Sequence, residues 1–284
     1  MERTQRTQQY TSCISHILSY FCIMLRFRIL ICFWSTCLFS QTNHSTHAGT
    51  HHNTGHIVDH PNHRLEWPAP VDHHQIIQHL GYTLSYNEKH EQADWVAYVL
   101  TKEETMKLFN RTNKFMFDTC VSTGSATDAD YKNSGYDRGH LAPAADMGWS
   151  EQSMTESFYF SNMSPQEPNF NRGVWKKLEE QVREWAIQYD SLCVVTGPIL
   201  SDSLPSIGEH EVSVPKMYYK VIYDHSPPEK KAIAFLIPNK ASKEPLLDFC
   251  VTIDELEKVS GLDFFATYCK ECWTWRIPKV KRKQ

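Results

Sequence analysis

Between residues 82 and 265 short runs of β-branched and aromatic residues are separated by polar turn stretches, a pattern that predicts strands. Six runs stand out: Tyr82–Tyr86, Trp95–Leu100, Phe158–Asn162, Leu192–Thr196, Met217–Tyr223 and Ala232–Ile237. Ser226, Pro227 and Pro228 form a turn between the last two, so these are expected to pair antiparallel. Helical periodicity is rarer. It predicts a short helix over Glu151–Ser157 behind Ser150 as N-cap, a long one over Gly173–Tyr189, and a third over Ile253–Ser260. For the last, Thr252 and Glu255 form a capping box and Gly261 supplies the stop. In the long helix Val174, Trp175, Leu178, Val182, Trp185, Ala186 and Tyr189 fall on one apolar stripe, leaving Lys176, Lys177, Glu180 and Glu184 on the wet side. Strands in runs, without strict alternation with helices, predict an α+β fold with a largely antiparallel central sheet flanked by helices.

The N-terminal pattern is different. Ser15 to Ser40 is strongly apolar, but Arg26 and Arg28 interrupt it, so neither half reaches the roughly 18 uncharged apolar residues of a membrane span. Read from Met24, Met24–Arg28 is a basic start, Ile29–Phe39 an 11-residue apolar core and Ser40 a small residue at which a signal peptidase can cut. This predicts a signal peptide and an exported protein, secreted or periplasmic, with residues 1–23 an upstream extension from a misplaced start. The alternative is an uncleaved membrane anchor with residues 1–23 on the cytosolic side. Residues 41–70 follow as a His-rich tract holding His44, His47, His51, His52, His56, His60 and His63. Such runs can collect transition metals, yet ligand spacing is irregular and apolar periodicity absent, which reads as a solvated linker. The chain thus divides into a leader (1–40), a linker (41–70) and one folded domain (71–284).

A composition of 41% hydrophobic and 22% charged residues excludes a disordered chain. Net charge is −4, and without residues 1–40 there remain 25 basic against 32 acidic residues. A blanket cationic surface for coating nucleic acid is therefore excluded, and any such contact must be local, through a few arginines or a metal ion. Of nine cysteines, Cys13, Cys22, Cys32 and Cys37 lie in the leader. Cys120, Cys193, Cys250, Cys269 and Cys272 remain, an odd set in which the lone Cys269-x-x-Cys272 pair suits a local disulfide better than zinc. Lys279 to Lys283 is a basic tail of the kind that is usually only solvated.

Two polar clusters carry candidate chemistry. Asp137, Arg138, Gly139 and His140 stand side by side, and an acid, an arginine and a histidine together suit work on a phosphate. The second, Asn169–Trp175, opens the long helix, with Glu179 and Arg183 further along it. Taken singly, His140 is more often structural, Asn171 a helix cap, and Glu179 with Arg183 a surface i,i+4 pair. Together, the string Asp137-Arg138-Gly139-His140, then Trp149-Ser150, Phe158 through Gln166, and Asn171-Arg172-Gly173-Val174-Trp175 resembles the DNA/RNA non-specific endonucleases, of the endonuclease G type within the ββα-metal nucleases. The resemblance extends from about Trp95 to Phe265 and includes Trp95–Tyr98 and Val195–Pro198.

The resemblance implies a ββα-metal nuclease fold and a metal-dependent endonuclease that hydrolyses DNA and RNA without regard to sequence and leaves 5′ phosphates. It assigns His140 as the general base, Asn171 as the side chain that binds magnesium, and Glu179 as an acid that positions water around the metal. Arg138 and Arg183 match arginines on the scissile phosphate, Arg111 is a looser match to a third, and Asp137 fits the motif without a defined role. Magnesium, with manganese as a substitute, is the implied cofactor. No small-molecule cofactor is expected, a homodimer is an open possibility, and a cleaved leader would leave no stable membrane association. The competing class is a non-catalytic exported protein that sequesters metal through its His tract.

Overall fold

The computed structural model describes residues 67–69, 74–226 and 230–265. The leader, the seven tract histidines, Cys269, Cys272 and the basic tail lie outside the described residues. In chain order the strands are β1 (Gln75–Gln78), β2 (Thr83–Asn87), β3 (Gln92–Thr101), β4 (Asp137–His140), β5 (Met163–Gln166), β6 (Ser191–Pro198), β7 (Ser206–Ile207), β8 (Val212–Ser213), β9 (Met217–Asp224), β10 (Lys231–Pro238) and β11 (Cys250–Val251). The α-helices are α1 (Asp128–Tyr131), α2 (Glu151–Glu156), α3 (Lys176–Tyr189) and α4 (Ile253–Ser260).

Seven strands form one sheet in the order β1-β2-β3-β6-β9-β10-β11, every neighbouring pair antiparallel. The expected α+β class and the pairing of the Met217 and Ala232 runs are both present, the latter from Ala232 opposite Tyr223 to Pro238 opposite Met217. Strand side chains alternate between faces, and both faces are covered. Val96, Tyr98, Val194, Tyr218 and Ile222 pack with Leu178, Val182 and Ala186 of α3. Trp95, Ala97, Val195, Tyr219 and Val221 pack instead with Leu256 of α4, Phe264 and Phe265. The capping box of α4 forms as expected, and Gly261 ends the helix at φ 74°, a left-handed conformation that suits glycine.

Two expectations are corrected. Phe158–Asn162 is not a strand: Phe160–Asn162 is a 3₁₀ turn, and the strand begins at Met163. The Asn162 amide locks that turn, donating to the Ala142 and Ser157 carbonyls and accepting from the Ala142 N–H. The long helix starts earlier and less regularly than its apolar stripe implies. A π-helical turn over Phe170–Trp175, with non-helical backbone at Gly173, leads into α3. The strand β4 was hidden because Asp-Arg-Gly-His carries no apolar alternation. It exists by pairing with β5, from Asp137 opposite Gln166 to His140 opposite Met163. β4, β5 and the turn into α3 form a two-strand-and-helix unit that holds both chemical clusters.

Candidate active site

His140 closes β4 and is buried at 8% exposure, packed edge-on against Phe158 with ring centroids 4.9 Å apart. Its Nε2 is buried without a hydrogen-bond partner. Arg138, two residues back and so on the same face of the strand, lies over Phe115 at 4.0 Å and pairs with Asp128 of α1. Arg111 reaches in from the 102–117 loop over Phe158 at 4.9 Å, its Nε donating to Asn113. Two aromatic rings thus hold two guanidinium groups beside one imidazole. Burial first, then the charges of Arg111 and Arg138, pushes the imidazolium down to about 3, so His140 is neutral near pH 7.

Asn171 sits inside the π-helical turn and is not the helix cap that its position suggests. Its Nδ2 donates to Asp137 Oδ2 at 2.9 Å, and Arg172 grips the same carboxylate through Nε (2.8 Å) and a terminal nitrogen (2.5 Å). Asp137, without a role from sequence, ties the helix start to β4 and orients the amide. With Nδ2 committed to a carboxylate, Asn171 Oδ1 is left as an acceptor. On β5, opposite Asp137, Gln166 is fully buried with neither amide atom bonded within the protein. Its side chain lies over Gly139, where a Cβ would come within 2.2 Å of it. A buried, unpaired amide is costly in isolation and marks a place where a ligand or water completes the structure. Gln166 was missed because a lone glutamine in a strand has no distinguishing local signal.

Glu179 and Arg183 are not a surface pair. Their side of α3 faces β3, and Arg183 donates to the buried Asp146 at 2.8 Å while Tyr98 donates to the other oxygen at 2.7 Å. Asp146, also missed from sequence, is the anchor that sets the guanidinium. Glu179 is half-buried, and burial raises its carboxyl above the ordinary range, with Asp146 adding to the rise and Lys220, Arg183 and Arg111 opposing it. The charge of Arg111 lowers both the His140 imidazolium and the Glu179 carboxyl.

The sequence profile of the DNA/RNA non-specific endonucleases matches residues 38–270. The chain belongs to this family. It is 36% identical to nuclease C1 of Cunninghamella echinulata var. echinulata over 71% of this chain and 86% of that one. It is also 36% identical to the mitochondrial nuclease EXOG of Danio rerio over 67% of this chain and 61% of the relative, so it spans about three fifths of that protein. Mitochondrial endonuclease G of Bos taurus matches at 34% identity over 67% of this chain and 69% of the relative. In structure it superposes on a chain in the crystal structure of the EndoG/EndoGI complex with a TM-score of 0.67 and 32% identity, covering 70% of this chain and 89% of that one. The shared fold is that of a ββα-metal nuclease.

A divalent ion implied by the family fits what these residues offer. Among the described residues no group of three or more His, Cys, Asp or Glu converges as a metal cage. An ion here would rest on the Asn171 oxygen, with the unbonded Gln166 amide on the neighbouring strand opposite Asp137. Such a sparse set suits magnesium, which keeps several waters and takes further oxygens from a phosphate.

Proposed function

We propose that this protein is a magnesium-dependent endonuclease that hydrolyses phosphodiester bonds of DNA and RNA without sequence preference and leaves 5′ phosphates. The observation that carries the reading is the neutral, buried His140 between two arginines, with the Asn171 oxygen turned free by Asp137 on the same two-stranded unit. Arg111 and Arg138 bind the phosphate as charge-assisted donors, and Arg183, braced by Asp146, supplies a third contact. When bound, the ion stabilises negative charge on the phosphate and the leaving oxygen. His140 takes the proton of the attacking water. A bound phosphate also offsets the two positive charges that depress the imidazole, so basicity at His140 rises when substrate is in place. Every assigned contact goes to phosphate or its neighbours, so bases are not read.

The test is incubation of the purified chain with plasmid DNA and with RNA, with magnesium and with a chelator. Both substrates should be cut only with the metal, to ligatable 5′-phosphate ends whose sequence shows no consensus. With three arginines gathered on one phosphate, log binding should fall only shallowly with log salt, at a slope of about −1. A strict consensus at the cut ends contradicts the reading, and a chain that binds transition metals without cutting favours metal capture by the His tract.

The leader, outside the described residues, supports export: a basic start at Met24 precedes an apolar core and Ser40. Mass spectrometry of the released protein should find Gln41 as the mature N-terminus. Intact peptides spanning Ser40 and Gln41 in an active membrane fraction would show an anchor instead.

A further inference from the structure

Beneath the start of α3 lies a charge that the mechanism above does not use. Lys220 is on β9, a central strand between β6 and β10, and is fully buried. Alternation turns Tyr219 and Val221 toward the α4 side, so Lys220 shares the α3 side with Tyr218 and Ile222. There its ammonium donates to the hydroxyl of Thr196, its register partner on β6, at 2.5 Å, and stands 5.0 Å from the ring centre of Trp175. A hydroxyl and an aromatic face orient an ammonium, but neither carries an opposite full charge, and an uncompensated ion in a sheet-helix interface is strongly unfavourable.

Among the described residues Lys220 closes no ion pair, and two carboxylates act on its charge from further off. Burial lowers the Lys220 ammonium, and Glu179 and then Asp146 pull it back up. Asp146 is engaged on both oxygens by Tyr98 and Arg183. Glu179, in the first turn of α3, follows Trp175 at the end of the π-helical turn by four residues, on the same side as the ring that Lys220 faces. The charges around Glu179 are Lys220, Asp146, Arg183 and Arg111, and Lys220 draws its carboxyl down against burial and Asp146. The phenol of Tyr98 completes the titratable groups facing this cluster.

We propose that Lys220 is a positioning residue whose buried ammonium balances Glu179 from behind and holds that carboxylate charged and in place to order water in the active site. The proposal rests on the assignment of Glu179 as the acid that orders water around the ion. A lysine without this task would be a poor choice for a fully buried position on a central strand, since methionine fills similar space without the charge.

The experiment uses the full chain with Lys220→Met, Glu179→Gln, the double variant, and Thr196→Val. Cleavage against magnesium concentration and against pH is measured for each, and magnesium binding is measured by calorimetry with His140→Ala added to silence turnover. Lys220→Met should raise the half-saturating magnesium about ten-fold, weaken the calorimetric affinity alike, and move the acid limb of the pH profile up by about one unit, because a carboxylate that loses a nearby cation protonates more readily. The double variant should be no worse than Glu179→Gln alone. Thr196→Val should shift both readouts in the same direction by less, and it decides the matter if Lys220→Met does not fold. Silent Lys220→Met or Thr196→Val alongside a strong Glu179→Gln effect overturns the proposal alone, as does an equal loss from Lys220→Met with and without Glu179. An unaltered Glu179→Gln overturns the role of Glu179 and the proposal with it.

Discussion

Replacing His140 with alanine is expected to slow cleavage by about 100- to 10,000-fold, the usual contribution of a positioned general base. The fold should survive, because the imidazole is neutral and its Nε2 is already without a partner, so no network inside the protein collapses with it. The pH profile adds a sharper expectation. With its imidazolium pushed down to about 3, His140 in the free enzyme is in base form throughout the neutral range, and lowering pH to 6 does not protonate it. The acid limb of kcat/KM should therefore follow Glu179, whose carboxyl is raised and whose proposed role needs it ionised. Activity falls as pH drops through the Glu179 transition. Single-turnover rates of wild type and variant across pH check both points. A variant retaining more than a tenth of the rate is incompatible with His140 as the base.

Asn171→Ala should be comparably severe. In the proposed role it removes the protein oxygen that would hold the ion, so its loss should exceed the roughly 10- to 100-fold that removal of a supporting partner costs at a metal site. Asp137→Asn probes that support, since an amide cannot hold the Asn171 Nδ2 and the Arg172 guanidinium as a carboxylate does. It should fall within the 10- to 100-fold range. The measurement is rate against magnesium concentration, with thermal unfolding as the check on folding. Half-saturation unchanged in both variants would sink the assignment and leave Asn171 a structural residue of the π-helical turn.

The sheet and helices were legible wherever the burial pattern is local. The stripe Leu178, Val182, Ala186 recurs at helical spacing, and the runs around Val96, Val194 and Val221 are long enough and β-branched enough to be strands in most contexts. His140 and Asn171 were singled out for another reason: the strings around them resemble a known family as contiguous motifs. Neither route reaches residues whose meaning depends on a partner far along the chain. The strand nature of Asp137–His140 is decided by pairing with Met163–Gln166. Asp146 becomes an anchor only because Tyr98 and Arg183 meet it from a strand and a helix.

By itself, then, the sequence determined the α+β class, the main strands and helices and the family to which the chain belongs, since these are encoded in local patterns and contiguous motifs. Only the tertiary structure decided the electrostatics of the site. Burial of His140 between Arg111 and Arg138, the hold of Asp137 on Asn171, and Lys220 beneath Trp175 depend on distances closed by folding. The strength of a charge or a hydrogen bond is set by the water removed around it and by what stands beside it, which no local stretch of sequence specifies.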